Sequence, residues 1–263
     1  MHMRSRVILP SLLALVAMAA LVAAPPKLRA DDGGAAPQPA CADKGIYPEY
    51  DFHADLRILC PAAGARPAQD TDGDGIDDQL DTARGGRKAA LNADPYKSAY
   101  VTLPYPGGDI PRTMGVCTDV VVRAMRNAGI DLQKEVHEDI VRRSRVYPWV
   151  DRPDTSIDHR RVRNMIPLFE FRFEARPVQP APTDADPSGW ADWKPGDIVF
   201  LDTFPDRAGI EHVGVVSDRS TPDRRPLIIN NWTDGYHTQD MDLLSFVKPV
   251  KRFRPAPRPV ASR

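Results

Sequence analysis

Asp197-Ile198-Val199-Phe200-Leu201, His212-Val213-Gly214-Val215-Val216 and Pro226-Leu227-Ile228-Ile229-Asn230 are three compact apolar runs in the last quarter of the chain. Each is too short for a helix and rich in β-branched residues. Pro195-Gly196 precedes the first, and turn-forming residues fill 217–226. That punctuation predicts three strands in an antiparallel meander. Upstream the period changes. Val121, Met125 and Ala128 fall at i, i+4 and i+7 before Gly129, a C-cap glycine, so residues 116–128 are predicted helical. Further helices are predicted at 82–95, around Ala89, Ala90 and Leu91, at 131–145, and at 159–170, where Pro167 argues against the C-terminal half. Helices followed by strands predict an α+β domain.

The 263 residues carry a net charge of −1. Residues 1–30 have a short basic start, His2, Arg4 and Arg6, then an apolar run from Val7 to Ala24 closed by Pro25-Pro26. They read as an export signal, cleaved near Ala24 or Ala30, and imply a periplasmic or secreted product. This segment holds four basic residues and no acid, so the remainder is more acidic than the whole, and nothing supports nucleic-acid binding. No later stretch is apolar enough to span a bilayer. Residues 31–95 read as an N-terminal extension, rich in Ala, Pro and Gly over 31–68. Residues 96–252 read as the globular domain, and 253–263 as a disordered Pro- and Arg-rich tail. The sequence carries no clear oligomer signal, and Gly85-Gly86 and Gly107-Gly108 do not form a phosphate-binding loop.

The chain has three cysteines. Cys41 and Cys60 could close a disulfide in an oxidising compartment, or remain two separate thiols of a loose segment. Cys117 is the remainder, at the start of the helix predicted at 116–128, where orphan N–H groups favour a thiolate. A buried core cysteine among valines is the competing reading. His212 opens the second strand and is the candidate base. Asn230 or Asn231, at the end of the third, is the candidate orienting group; adjacent strand residues point to opposite faces, so one of the two fits. The histidines at 137, 159 and 212 lack metal-ligand spacing, so zinc hydrolysis is not expected and catalysis needs no cofactor.

Tyr105-Pro106-Gly107-Gly108, Cys117 at a helix start, Lys194 to Phe200 and His212 to Val216, in that order, resemble the NlpC-type cell-wall peptidases, which are papain-like cysteine hydrolases. More closely, residues from about 96 to 250 resemble the bacterial domain-of-unknown-function family 1287, a relative of that group. Val136 to Asp139, Ile157 to Val162 and Pro226 to Asn231 add to that match. The resemblance implies a papain-like fold, Cys117 as nucleophile, His212 as base, and hydrolysis of an amide bond in peptidoglycan peptides. Asn230 falls where NlpC-type enzymes often have a histidine. Thr118-Asp119 departs from their usual Ser-Gly. Tyr105 corresponds to a tyrosine near the nucleophile and is expected to position the acyl group.

Asp158, His159 and Arg160, with Arg161 and Arg163, could bind carboxylates of a substrate peptide, as guanidinium groups pair well with them. A solvated helix start is the plain alternative. Asn231 is a further substrate-side candidate.

Asp70-Thr71-Asp72-Gly73-Asp74-Gly75-Ile76-Asp77-Asp78-Gln79-Leu80-Asp81 is a second motif. Counting Asp70 as 1, carboxylates stand at 1, 3, 5, 9 and 12, with glycine at 6, the ladder of a calcium loop. It resembles the calcium repeats of thrombospondin type 3. The expected ligands are Asp70, Asp72, Asp74, Asp78, Asp81 and the carbonyl of Ile76, with a structural role for the ion. A solvated acidic linker is the alternative. Two other functions remain open: a non-catalytic, calcium-stabilised wall-binding protein, and an acyltransferase using the same cysteine and histidine.

Overall fold

The computed structural model describes residues 45–47, 59–62, 64–204 and 209–257. The expected signal at 1–30, Cys41, and residues 258–263 of the expected tail lie outside them, as does all of the separate unit Met1–Pro37. Among the described residues four α-helices precede six strands: α1 (Asp78–Asn92), α2 (Cys117–Asn127), α3 (Leu132–Arg142), α4 (Val162–Arg172), β1 (Phe173–Arg176), β2 (Ile198–Asp202), β3 (His212–Ser220), β4 (Pro226–Asn230), β5 (Gln239–Met241) and β6 (Lys248–Pro257). The strands form one antiparallel sheet in the order β1-β6-β2-β3-β4-β5. The α+β class and the meander of β2, β3 and β4 are as expected. Among the described residues no helix is long and apolar enough to cross a membrane.

Both faces of the sheet are covered. Ile198, Phe200, Val213, Val215, Ile229 and Phe253 pack with residues of the helices. Val199, Leu201, Val216 and Ile228 pack on the other side with Trp193, Leu243 and Val247. Burial on both sides is why β2 reads as an unbroken apolar run and not as an alternation.

Three expected boundaries are corrected. α1 starts four residues before the expected 82, inside the acidic segment, because Asp77 caps it by accepting from the Gln79 N–H at 3.1 Å. Asp78 and Asp81 then occupy its first turn, where the helix dipole favours anions. α1 is no part of a loose extension. A Cβ on Gly85 would come within 2.5 Å of the Ala124 carbonyl oxygen, so α1 and α2 approach as only glycine permits. The cations of α1 are buried and paired: Arg87 reaches Asp218, Asp240 (2.6 Å) and Ser217 Oγ (2.8 Å), and Lys88 reaches the Ile46 carbonyl and Asn127, both at 2.8 Å.

The second correction concerns the tail. Residues 253–257 belong to β6, which lies between β1 and β2. Phe253 packs against Phe169 and Phe200, and Arg252 is buried between Asp197, Asp192 and the Trp193 ring. The third concerns Pro167. α4 continues through it to Arg172, because Leu168 and Phe169 are held in the core and the Pro167 carbonyl accepts from Arg143 at 3.0 Å.

Candidate active site

Cys117 is the first residue of α2. Asp119 fixes that start: its Oδ2 accepts from the Val116 N–H at 2.8 Å, a reach-back cap. Arg160 holds the same carboxylate with two bonds, 2.8 and 3.1 Å, and also donates to the Ala99 carbonyl at 2.7 Å. Thr118 Oγ1 donates to the Arg160 carbonyl at 3.2 Å. The Thr-Asp pair after the cysteine therefore anchors the helix start to the segment around Arg160.

Cys117 is 9% exposed. Burial pushes its thiol up to about 12, while the backbone N–H groups of Val213, Thr118 and Cys117 pull the other way. His212, at the mouth of β3, is also buried, and its Nε2 meets Asn230 Oδ1 at 3.1 Å. The Asn230 amide donates to the Ile228 carbonyl at 3.1 Å, which fixes Oδ1 as the acceptor. The Nε2–H therefore donates, and Nδ1 keeps the lone pair of the neutral ring. Trp232 stands edge-on to the imidazole, 4.9 Å between centroids. Burial lowers the imidazole to about 4.

The ladder places Val213 opposite Phe200, on the α2 side, and His212 opposite Leu201, on the other. Among the described residues no hydrogen bond joins Cys117 to His212. Between about pH 4 and 12 both groups are neutral, so alkylation is expected to follow the thiolate fraction. The rate at Cys117 then rises about tenfold per pH unit from pH 6 to 9. Iodoacetamide labelling quantified on the Cys117 peptide reads this; a plateau across pH 6 to 8 would mean a preformed thiolate–imidazolium pair.

Cys117 lies in the wall of a cleft of about 1030 Å³, which Tyr96, Trp149, Arg161 and Arg163 also line. Tyr96 is brought there by a bridge to Gly115, and its phenol is raised by burial and by the Cys117 sulfur beside it. Arg161 and Arg163 are exposed and make no ion pair among the described residues; the Arg163 guanidinium lies 6.0 Å from the Trp149 ring centroid. Arg160 also reaches the wall, but its guanidinium is committed to Asp119.

The other expected residues stand elsewhere. Tyr105 lies edge-on to His137 at 5.3 Å and is outside the cleft lining. Asp158 is buried and accepts from the Asp154 N–H at 2.8 Å and pairs with His137 at 2.9 Å. His159 is buried with Nδ1 unpartnered among the described residues; burial, with Arg160 next, lowers it to about 3. Asn231 donates to the carbonyls of Asp94 (3.1 Å) and Gly115 (3.4 Å), which supports the backbone leading into Cys117. Of the two asparagines, Asn230 is the one that meets His212. Tyr96 carries no local signal in the sequence; the bridge to Gly115 is a tertiary contact.

In the acidic segment, Asp70, Asp72 and Asp74 each bring an oxygen within 4.8 Å of the others. Asp78 is not among them, and its two oxygens accept from the Thr71 N–H and Oγ1, both at 2.7 Å. Ile76 is buried, and its N–H donates to Asp74 Oδ1 at 2.8 Å. Burial, with the charges of Asp74 and then Asp72 opposed by Arg84, raises Asp81 to about 8. Cys60 lies next to Arg84, 3.9 Å from its Nη1; its expected partner Cys41 is outside the described residues.

The fold and site define a class: an α+β domain with a cysteine at a helix start, set in the wall of an arginine-bearing cleft. The chain belongs to the family described as a domain of unknown function (DUF1287), which matches residues 83–254. It is similar to the uncharacterized protein YijF of Escherichia coli (strain K12), with 42% identity over 167 residues covering 62% of this chain and 75% of that protein.

Proposed function

We propose that this protein is an exported, papain-like (NlpC-type) cysteine hydrolase that cleaves an amide bond in peptidoglycan peptides. One observation carries the reading: Cys117 lines a cleft, its sulfur faces the Val213 N–H, and His212, the residue before Val213 in the chain, has its tautomer set by Asn230. The ordered sequence resemblance supports the substrate class.

The chemistry is acyl transfer to water. The Cys117 sulfur attacks the amide carbonyl carbon as its proton passes to His212 Nδ1, a transfer that requires the imidazole to leave its resting place beside Asn230 on the other face of the sheet. Catalytic hydrogen bonds commonly tighten only when substrate is seated. The imidazolium gives that proton to the leaving amine as the C–N bond breaks. Water, deprotonated by His212, then cleaves the thioester and restores the thiol. The backbone N–H of Cys117 is the oxyanion donor.

Arg161 and Arg163 bind a substrate carboxylate. Replacing both by glutamine is expected to raise KM for a carboxylate-bearing muropeptide roughly tenfold with kcat little changed; an unchanged KM removes them from the binding site. The activity itself is tested by digesting purified peptidoglycan and reading the products by mass spectrometry. Defined new muropeptide termini support the proposal, and an unchanged digest overturns it.

A second reading has one observation in its favour: among the described residues no hydrogen bond joins the thiol to the imidazole, and burial raises the first and lowers the second, which favours the neutral forms. In that case the cleft binds wall peptides without cutting them, and the arginine pair still governs affinity.

A further inference from the structure

His137 takes no part in the chemistry at Cys117, yet it stands in the wall of a second hollow. That hollow has a volume of about 430 Å³, is lined by His137, Arg152, Pro153, Asp154 and Thr155, and shares no residue with the wall of the Cys117 cleft. The imidazole is held in place from behind. Its Nδ1 meets Asp158 Oδ2 at 2.9 Å, and the Asp158 side chain is 1% exposed. An ionised carboxylate only accepts, so Nδ1 carries the proton and Nε2 is the ring nitrogen left over. Among the described residues Nε2 has no hydrogen-bond partner. Tyr105 stands edge-on to the same ring.

The rest of the wall is a loop that is already fixed. The Asp154 N–H donates to Asp158 Oδ2 at 2.8 Å. Asp154 Oδ1 accepts from the Ser156 N–H at 2.8 Å, and its Oδ2 from the Tyr100 hydroxyl at 3.0 Å. The Thr155 carbonyl accepts from Gln133 Nε2 at 3.1 Å, which ties the loop to α3, the helix that carries His137. Arg152 is different: it is exposed and makes no ion pair or hydrogen bond among the described residues.

These groups select a ligand class. A metal ion does not suit them, because among the described residues His137, Asp154 and Asp158 do not gather three donor atoms around one point. An apolar ligand would find only Pro153. A free guanidinium suits an oxyanion, which it binds with two donors, and Thr155 adds a hydroxyl. Nε2 adds a further requirement: it accepts from the ligand when the ring is neutral and donates when the ring is charged. A phosphate monoester meets both cases, since its second ionisation lies near pH 6 and it can give or share one proton. A carboxylate or a sulfate has no such proton near neutral pH.

We infer that the hollow beside His137 binds a phosphate monoester, with Arg152 paired to its oxygens, Thr155 donating to one of them and a proton shared with His137 Nε2. The site is separate from the cleft, so it stands whether or not Cys117 is catalytic.

The test titrates the full-length protein with inorganic phosphate, and separately with sulfate and acetate, while amide and imidazole resonances are followed by NMR. Saturable shifts are expected at His137 and Thr155, with phosphate bound roughly tenfold more tightly than sulfate, the scale of one hydrogen bond to a charged group. Arg152→Gln, at an exposed position, is expected to weaken phosphate binding roughly tenfold without lowering the melting temperature. His137→Gln is expected to remove the preference for phosphate over sulfate. Arg161→Gln with Arg163→Gln is expected to leave phosphate binding unchanged. Shifts that never saturate, equal affinity for phosphate and sulfate, wild-type affinity in Arg152→Gln, or loss of binding in the double cleft variant overturns the proposal.

Discussion

Cys117→Ala is expected to abolish muropeptide cleavage, with a loss of at least about a thousandfold relative to wild type. The change removes the sulfur and little else. Position 117 opens α2, whose start is fixed by Asp119 through the Val116 N–H and by Arg160, and none of these contacts involves the thiol. The melting temperature should therefore stay close to wild type, which separates a chemical loss from an unfolded protein. His212→Ala is expected to lose nearly as much, because the proton it carries is needed in both half-reactions. Asn230→Ala is expected to lose less, since it removes the tautomer setting and leaves the base. Muropeptide digests followed by mass spectrometry over time give all three rates. If Cys117→Ala digests the wall as fast as wild type, Cys117 is a core residue.

Arg87→Ala is expected to destabilise the fold by about 3–5 kcal/mol, the usual effect of removing one partner of a buried ion pair. Arg87 lies on α1, outside the stretch expected from sequence to be globular, yet it is the only described basic residue that reaches both Asp218 on β3 and Asp240 on β5. Its loss leaves two carboxylates short of their cation behind the meander. Urea melts monitored by circular dichroism measure this directly. A change below about 1 kcal/mol would mean that α1 is peripheral. A chain begun at residue 96 is expected not to fold, for the same reason.

Some of this was legible residue by residue. The apolar runs of β2, β3 and β4 announced themselves because their side chains are buried on both faces, which demands unbroken hydrophobicity. α2 showed its period because one side packs on the sheet. β6 did not, because its strand is broken by charges, one of which, Arg252, is buried and matched to Asp197 and Asp192. α1 was expected as a helix from residue 82, but its place in the core was hidden because Arg84, Arg87 and Lys88 are buried.

The site divides likewise. Cysteine at a helix start, histidine at a strand mouth and asparagine at the end of the next strand are positions that local pattern can mark. Which asparagine meets His212 depends on strand register, and which tyrosine reaches the cleft depends on a bridge between Tyr96 and Gly115. The sequence by itself determined the class of fold, the residue types of the candidate site and the spacing of the acidic ladder, because those follow from periodicity and local geometry. Only the tertiary structure decided that Arg161 and Arg163 face the cleft while Asp158 and His159 are buried, and that Asp81 and not Asp78 keeps an oxygen without a partner. Those outcomes depend on burial and on long-range pairing of charges, and no local stretch of chain encodes either.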